Sequence, residues 1–317
     1  MANPRKQQKI QKLSFRAPAS GAAGGALLGE FLRESMSNRG LGPGLGTSAL
    51  RAGKVYVNGR RATASKAALK PGAAVDVYID HGALSAAMAP TPEVPAVLRI
   101  LYEDEALICF DKPAGLPTHP TVDAKRANLY DLARKQLGGT YLGLHHRLDR
   151  DTSGVLLFTK ETKYNKFVAE QFSEHKLLKS YTALVHGAMK RPEGRLESFL
   201  GSLGRSGPKR MQKFGTVRAG GKKAITDYML LEKGNGLSLI ECVLHTGRTH
   251  QIRVHLSEQG HSIVGDTLYG SPEKWYQRLG RHMLHAHAMT ITHPVTNNAV
   301  RIESPVPHVF RELLEGK

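Results

Sequence analysis

The chain is poor in residues on which several classes of protein depend. Its 317 residues include two cysteines, Cys109 and Cys242, and each lies within an apolar run. They suit buried thiols in a reducing compartment, and they supply neither a disulfide framework nor a zinc motif. No apolar run is long enough to cross a membrane, and the N-terminus lacks the apolar segment of a secretory signal. We therefore expect a cytoplasmic protein with no membrane partner and no metal.

Acidic residues are also scarce. Lys and Arg outnumber Asp and Glu 45 to 27, which gives a net charge of +18. An excess of this size indicates partners rather than fold, and a nucleic acid fits because each neutralised phosphate releases a counterion. Between Glu197 and Asp227 the chain has no acid and many basic residues and glycines. This stretch predicts mobile loops that contact phosphates, with a solvated hairpin as the alternative.

Composition divides the chain into four segments. Residues 1–24 are basic and then rich in Gly, Ala and Ser, which predicts a disordered tail. Residues 83–96 are rich in Ala and Pro, which predicts a linker. Between and after these segments lie a compact stretch at residues 25–82 and a larger domain at residues 97–317.

The stretch at residues 25–82 has the pattern of a small α+β domain. Apolar residues within 27–32 have helical spacing, and the glycine-rich residues 40–46 predict a loop. Residues 54–57 (KVYV) predict a strand, which Asn58–Gly59 closes as a hairpin turn. The run AGKVYVNG and a later KPG resemble the S-four-type RNA-binding domain, and the resemblance implies RNA contact.

The larger domain intersperses strand and helix patterns without the regular alternation of a parallel sheet. Residues 155–159 and 237–244 predict apolar strands, whereas residues 248–259 predict a helix that Gly260 ends. This arrangement favours an α+β fold with a mixed, mostly antiparallel central sheet.

Two polar clusters are the candidates for chemistry. The first, His146–Gly154 (HRLDRDTSG), precedes an apolar strand, where function concentrates but where a capped turn explains such residues equally well. The second, Thr246–Leu256 (TGRTHQIRVHL), places His250 and Arg253 on one helix face. His250 and His255 lie on different faces with no carboxylate or Cys to complete a site, so we expect no metal here.

The first cluster resembles the signature of the RluA family of RNA pseudouridine synthases. Lys179–Val185 (KSYTALV) resembles the family's Lys-x-Tyr strand, the second cluster resembles its third motif, and Leu284–Ala286 (LHA) resembles its C-terminal segment. These four motifs follow the family's order within about residues 97–314. The resemblance implies the pseudouridine synthase fold, an isomerase acting on RNA, and no cofactor.

The resemblance also implies roles by motif position. Asp149 corresponds to the carboxylate that attacks C1′ of uridine or removes its C2′ proton. Arg253 corresponds to the cation paired with it, and Tyr181 to the aromatic ring that stacks on the extruded base. A cation within about 4–6 Å lowers the pKa of such a carboxyl by roughly 1–3 units. Further motif members are candidates for holding RNA: Arg147, Thr152, Lys179, Arg248, His250, Gln251 and Leu284.

A few residues distinguish the proposed activity from alternative functions. A glycosidase needs two carboxylates that straddle a sugar, which Asp149 and Asp151 cannot do from one tight turn. A non-catalytic RNA-binding protein fits the charge and the first domain equally well, but it would not require Asp149, Tyr181 and Arg253 together. We expect a monomer acting on large-subunit ribosomal RNA, with transfer RNA as the alternative substrate.

Overall fold

The computed structural model describes most of the chain, namely residues 10–18, 26–39, 41, 44–80, 95–120, 127–206, 211–272, 275 and 278–316. Internal contacts divide the chain into two compact units, Met1–Pro90 and Thr91–Lys317. Within the described ranges, no helix combines the length and the apolar character needed to cross a membrane.

The first unit is a four-stranded antiparallel sheet with two helices. In sheet order its strands are β1 (Ile10–Arg16), β4 (Ala74–Asp80), β2 (Val55–Val57) and β3 (Arg60–Arg61). The helices are α1 (Leu28–Ser37) and α2 (Gly44–Arg51). Apolar side chains of both helices and of β4 form one buried core.

Part of the segment predicted to be a disordered tail is a strand. β1 pairs with β4 along its whole length, from Ile10 opposite Asp80 to Arg16 opposite Ala74. Leu13 is the one residue of β1 that is buried. The prediction was wrong for residues 10–16 because a basic edge strand is stabilised by cross-strand pairing, which composition does not reveal. Residues 1–9 and 19–24 of the predicted tail lie outside the described residues.

Glycines in this unit have two different structural uses. The predicted hairpin turn is confirmed, since Asn58 and Gly59 have φ values of 48° and 76°. The predicted loop at residues 40–46 is wrong in its last part, because α2 begins at Gly44. A Cβ atom at Gly46 would lie 2.9 Å from the Cβ of Leu32, so this glycine lets the two helices pack closely.

The second unit is built on an 11-stranded sheet. Its strands are β5 (Ile100–Glu103), β6 (Leu107–Lys112), β7 (Gly143–Leu144), β8 (Ser153–Thr159), β9 (Leu178–His186), β10 (Glu193–Ser206), β11 (Met211–Thr216), β12 (Lys222–Gly234), β13 (Leu237–Leu244), β14 (Leu284–Thr292) and β15 (Ala299–Glu303). The main path runs β11-β10-β12-β13-β9-β14-β8-β6-β5, with β15 on β14 and β7 on β8. Among these pairs, β14 and β8 run parallel and the others antiparallel. The predicted α+β fold with a mostly antiparallel sheet is confirmed.

Helices cover both faces of this sheet. They are α3 (Leu129–Gln136), α4 (Asn165–Ser173), α5 (Gln251–Glu258) and α6 (Val309–Glu315). Leu156 and Phe158 of β8 join the core formed with α3, α5 and α6, whereas Val155 and Leu157 join the core formed with α4. Because successive side chains of a strand point to opposite faces of the sheet, one apolar strand contributes to both cores.

Much of the stretch predicted to be mobile loops consists of strands. β10, β11 and β12 pair in register, and Gly201 lies opposite Gly215. A Cβ atom at Gly201 would lie 2.8 Å from a methyl group of Val217. Glycine here permits close packing, so the alternative interpretation as a hairpin is the better one. Residues 207–210 lie outside the described residues.

Candidate active site

The register of the sheet brings the sequence motifs to one place. Ser153 at the start of β8 lies beside His285 of β14, and His285 lies beside Thr182 of β9. The loop that leads into Ser153 carries Asp149, and Tyr181 immediately precedes Thr182. β13 pairs with the other side of β9 and leads through a turn into α5. All four motifs therefore meet around one point of the sheet.

Asp149 is held by a guanidinium that a second carboxylate clamps. Arg253 Nη1 donates to Asp149 Oδ2 over 2.8 Å, while its Nε and Nη2 donate to the two oxygens of Asp266 over 2.6 and 2.9 Å. The side chains of Arg253 and Asp266 are 7% and 1% exposed, and that of Asp149 is 21% exposed. Asp266 fixes the guanidinium, and Asp149 is the member of the group that reaches solvent.

The Asp149 carboxyl titrates under opposing influences. Burial raises its pKa, but the charge of Arg253, the charge that His250 carries when protonated and the hydrogen bond from Arg253 lower it by more in total. The pKa of Asp149 therefore lies below its ordinary value. The side chain is ionised at neutral pH and partly desolvated, which is the state that a nucleophile or general base requires.

His250 approaches Asp149 from a second side. Its Nε2 lies 3.7 Å from Asp149 Oδ2, and its Nδ1 lies 2.9 Å from the Tyr269 hydroxyl. Because that hydroxyl accepts the N–H of Phe214, its own proton is free for Nδ1, and the imidazole proton belongs on Nε2. Burial lowers the pKa of His250 to about 4 despite the nearby Asp149. A neutral ring thus directs an N–H towards the carboxylate.

Tyr181 contributes an aromatic side chain from β9. It is 9% exposed. Burial, and then the negative charge of Asp149, raise the pKa of its hydroxyl well above the ordinary value. The side chain therefore keeps an intact O–H rather than forming a phenolate.

Three basic motif residues surround this centre in different environments. Lys179 is buried, and its pKa is lowered to about 8 by burial and then by the charge of Arg248. Arg248 Nε donates to the Lys223 carbonyl over 2.9 Å and so ties the second motif cluster to β12. Arg147 is exposed, and its charge contributes to the low pKa of Asp149. Among the three, Arg147 is the most accessible to a ligand.

Three other predicted RNA-binding residues are buried within the protein. Leu284 is 5% exposed, and Thr152 and Gln251 are each 2% exposed. Thr152 Oγ1 lies 2.8 Å from His282 Nε2. The Gln251 amide makes four hydrogen bonds, two through each polar atom, to neighbouring segments. In this structure the three side chains hold the loops around Asp149 and present no free polar group to RNA.

The sequence motifs did not include several residues that support the site. Asp266 clamps Arg253, and the ring of Tyr269 lies 5.1 Å from the guanidinium carbon of Arg253. Lys112 is fully buried and donates to three carbonyls, one of them that of Arg150 in the Asp149 loop. Burial lowers the pKa of Lys112 to about 7. One feature of the sequence could have indicated Lys112, since it is a charged residue at the end of the largely apolar run LICFDK.

Of the two aspartates in this loop, Asp151 is bonded by its neighbour in the chain. Both oxygens of Asp151 accept hydrogen bonds from Arg150, each at 2.6 Å. In the part of the chain that is described, no group of three or more His, Cys, Asp or Glu is placed to hold a metal ion. An ionised carboxylate beside an aromatic ring suits attack or proton abstraction at a sugar whose base stacks on that ring.

Comparison with known proteins places the chain in a family. A profile of the RNA pseudouridylate synthase family matches residues 106–258. An uncharacterized RNA pseudouridine synthase of Bacillus subtilis, YhcT, is 36% identical, covering 68% of this chain and 71% of its own. The ribosomal large subunit pseudouridine synthase D of Zymomonas mobilis is 37% identical, covering 69% and 72%. The solved structure of human RNA pseudouridylate synthase domain containing 1 matches with a TM-score of 0.59 at 27% identity, covering 71% of this chain and 89% of that one. The chain therefore belongs to the RNA pseudouridine synthase family, whose members are isomerases acting on RNA.

Proposed function

We propose that this pseudouridine synthase modifies uridines in large-subunit ribosomal RNA with Asp149 as its catalytic carboxylate. One observation carries the assignment of Asp149: it is ionised, partly desolvated and bonded to Arg253 at the point where the four motifs meet. Perturbed titration at a specific charge partner is typical of functional carboxylates.

The reaction exchanges one bond at C1′ for another. The N1–C1′ bond breaks, the uracil turns, C5 bonds to C1′, and the proton leaves C5 while N1 gains one. Asp149 starts this sequence either by attacking C1′ or by removing the C2′ proton. Both routes use the ionised carboxylate that Arg253 maintains. Because Asp266 holds the guanidinium from behind, Arg253 stays in place while the charge on Asp149 changes.

The target uridine must leave its base stack before C1′ and C5 become accessible. Extrusion costs a few kcal/mol, and stacking on an aromatic side chain offsets about 1–3 kcal/mol of that cost. Tyr181 provides the ring. Its raised pKa keeps the hydroxyl protonated, so it acts through stacking and through its O–H. Arg147, exposed beside Asp149, is placed to hold a phosphate of the extruded nucleotide.

Two observations support ribosomal RNA as the substrate. Relatives from Zymomonas mobilis and Neisseria meningitidis are named as ribosomal large subunit pseudouridine synthases. The first unit carries exposed basic residues, among them Arg60 and Arg61 on β3, and the whole chain has a net charge of +18. We assign this unit as an S-four-type RNA-binding domain at residues 25–82, extended by β1. Residues 97–317 then form the catalytic domain.

The composition of the site supports a proposal for the oligomeric state. One chain supplies Asp149, Arg253, Tyr181 and the side chains that position them. We therefore propose a monomer, and light scattering of the purified protein gives its mass directly.

Mapping pseudouridine in total RNA tests the proposal. Cells lacking the gene are compared with cells that carry the wild-type gene or the Asp149→Ala variant. We expect specific large-subunit positions to lose pseudouridine, and to regain it with the wild type but not with the variant. Loss confined to transfer RNA overturns the proposed substrate. Equal restoration by Asp149→Ala overturns the role of Asp149.

A further inference from the structure

An open cavity lies beside the segment that leads to the loop carrying Asp149. Its volume of about 360 Å³ falls in the range of small-ligand sites, roughly 300–1,000 Å³. The walls include the rings of Tyr130 and Tyr141, the imidazoles of His119 and His145, and the amide of Asn165. Tyr141 is the most exposed of these four rings, at 42%, and it offers a face on which a planar ring can stack.

A chain of hydrogen bonds fixes the polar atoms of these walls. Thr159 Oγ1 donates to Asn165 Oδ1 over 2.6 Å, and Asn165 Nδ2 donates to the Tyr141 hydroxyl over 2.6 Å. His145 Nε2 lies 3.0 Å from Thr159 Oγ1. Because Thr159 has given its one proton to Asn165, His145 Nε2 is the donor, which leaves its Nδ1 as an acceptor. The Tyr141 hydroxyl keeps its own proton as a donor, so the walls offer both kinds of group.

The arrangement is held in place before any ligand arrives. A Cβ atom at Gly143 would clash with Thr159 Oγ1 and Asn165 Oδ1, so glycine is needed for the hydrogen-bond chain to close. The His145 ring stacks on Phe172 with an interplanar angle of 11°. Burial lowers the pKa of His145, which keeps the imidazole neutral at pH 7. Groups fixed in this way lose little conformational entropy on binding.

We infer that this cavity binds an unpaired nucleobase of the RNA substrate, close in sequence to the target uridine. The inference rests on the proposed role of Asp149. His145 precedes Asp149 by four residues, so the two Cα atoms are at most about 14 Å apart along the chain. This upper limit corresponds to the length of about four stacked nucleotides at 3.4 Å each. None of the described lining residues is Lys or Arg, which suits a base rather than a phosphate. Stacking plus edge hydrogen bonds is how proteins recognise unpaired bases.

An RNA hairpin with single abasic positions tests the inference. The synthetic hairpin carries the mapped target uridine, and each of the four nucleotides on either side is made abasic in turn. With wild-type protein, one abasic position should raise KM by about 5- to 100-fold, the range expected for one stacked base. Tyr141→Ala should raise KM on the intact RNA by a similar factor. The two changes combined should be no worse than either alone, because they remove the same contact.

Two variants serve as controls. Tyr141→Phe keeps the stacking ring and loses only the hydroxyl, so it should raise KM by less than Tyr141→Ala does. Phe167→Ala removes a ring of α4 that is 36% exposed and does not line the cavity, and it should change neither kcat nor KM. Tyr141 is 42% exposed, so Tyr141→Ala should keep the wild-type melting temperature.

Binding and turnover are measured separately. Fluorescence anisotropy with Asp149→Asn protein gives Kd for the same set of RNAs without turnover. A Kd that is equal for every abasic RNA, or an effect of Tyr141→Ala that adds to that of every abasic position, overturns the inference. Failure of the proposed function appears differently, as wild-type protein that leaves the intact hairpin unmodified whatever the pattern of Kd.

Discussion

Two Asp–Arg pairs in the second unit have similar bond lengths and opposite surroundings. Arg253 and Asp149 are 2.8 Å apart, with side chains 7% and 21% exposed. Arg195 and Asp227 are 2.6 Å apart, with side chains 58% and 34% exposed. An exposed pair contributes about 0–1 kcal/mol to stability, whereas removing one partner of a buried pair costs about 3–5 kcal/mol. The N–O distance therefore does not distinguish the two pairs, whereas the burial of their side chains does.

The pKa values of the two carboxyls are lowered for different reasons. Asp227 lies directly opposite Arg195 across β12 and β10, and the hydrogen bond from Arg195 is the largest influence on its pKa. For Asp149 the largest influence is burial, which acts in the raising direction and is overcome by Arg253 and His250. A low pKa alone therefore does not identify a catalytic carboxylate. The carboxylate that we propose as catalytic is distinguished by being ionised despite desolvation.

Replacing Asp149 or Asp227 by Asn should give the largest difference in activity between the two pairs. Asp149→Asn should lower kcat on the order of 1000-fold or more, because the reaction loses its nucleophile or base. Asp227→Asn should leave kcat within about threefold, since this carboxylate lies in a surface pair. Pseudouridine formed at the mapped site is measured over time for both. Comparable activity of the two variants would contradict the distinction between the pairs.

Removing each guanidinium compares the pairs through stability. Arg253→Met leaves both Asp149 and Asp266 without their cation, and the free energy of unfolding should fall by about 3–5 kcal/mol. Arg195→Met should cost about 1 kcal/mol or less. Urea denaturation followed by circular dichroism measures both. Equal losses would show that burial does not set the strength of the Arg253 contacts.

Changing Tyr181 gives the smallest expected effect. Tyr181→Phe keeps the stacking ring and loses the O–H, so kcat should fall by about tenfold or less. Single-turnover kinetics on the mapped RNA measures the change, with Tyr228→Phe, a partly buried tyrosine on β12, as the matched control. A loss of 100-fold or more is the size of a general acid–base contribution and would mean that the hydroxyl itself transfers a proton.

The local features of this molecule could be predicted from its sequence, and several tertiary ones could not. The motifs containing Asp149, Tyr181 and Arg253 were visible, and the structure brings Asp149 into contact with Arg253. Asp266 and Lys112 were missed because their roles depend on contacts with residues 13 and 38 positions away. No short-range periodicity encodes such contacts.

Strand β1 and two glycines show the same limit on what the sequence alone can predict. β1 carries one buried residue, Leu13, so its sequence resembles a tail until β4 pairs with it. Gly46 and Gly201 occupy positions where a neighbouring side chain leaves no room for a Cβ atom. Sequence alone does not separate such a glycine from one in a flexible loop, because both uses follow from the missing side chain.

The pH dependence of kcat/KM tests the central claim most directly. The proposed mechanism requires ionised Asp149, and the pKa of Asp149 is lowered, so activity should be lost only as pH falls through a value below the ordinary 3.9 or so of Asp. In Arg253→Lys the fork of donors is lost, and the acid limb should move to higher pH. Arg195→Lys makes the same change in the exposed pair, serves as the control and should leave the limb where it is in the wild type. A wild-type limb above pH 6, or a limb unmoved in Arg253→Lys, would contradict the account.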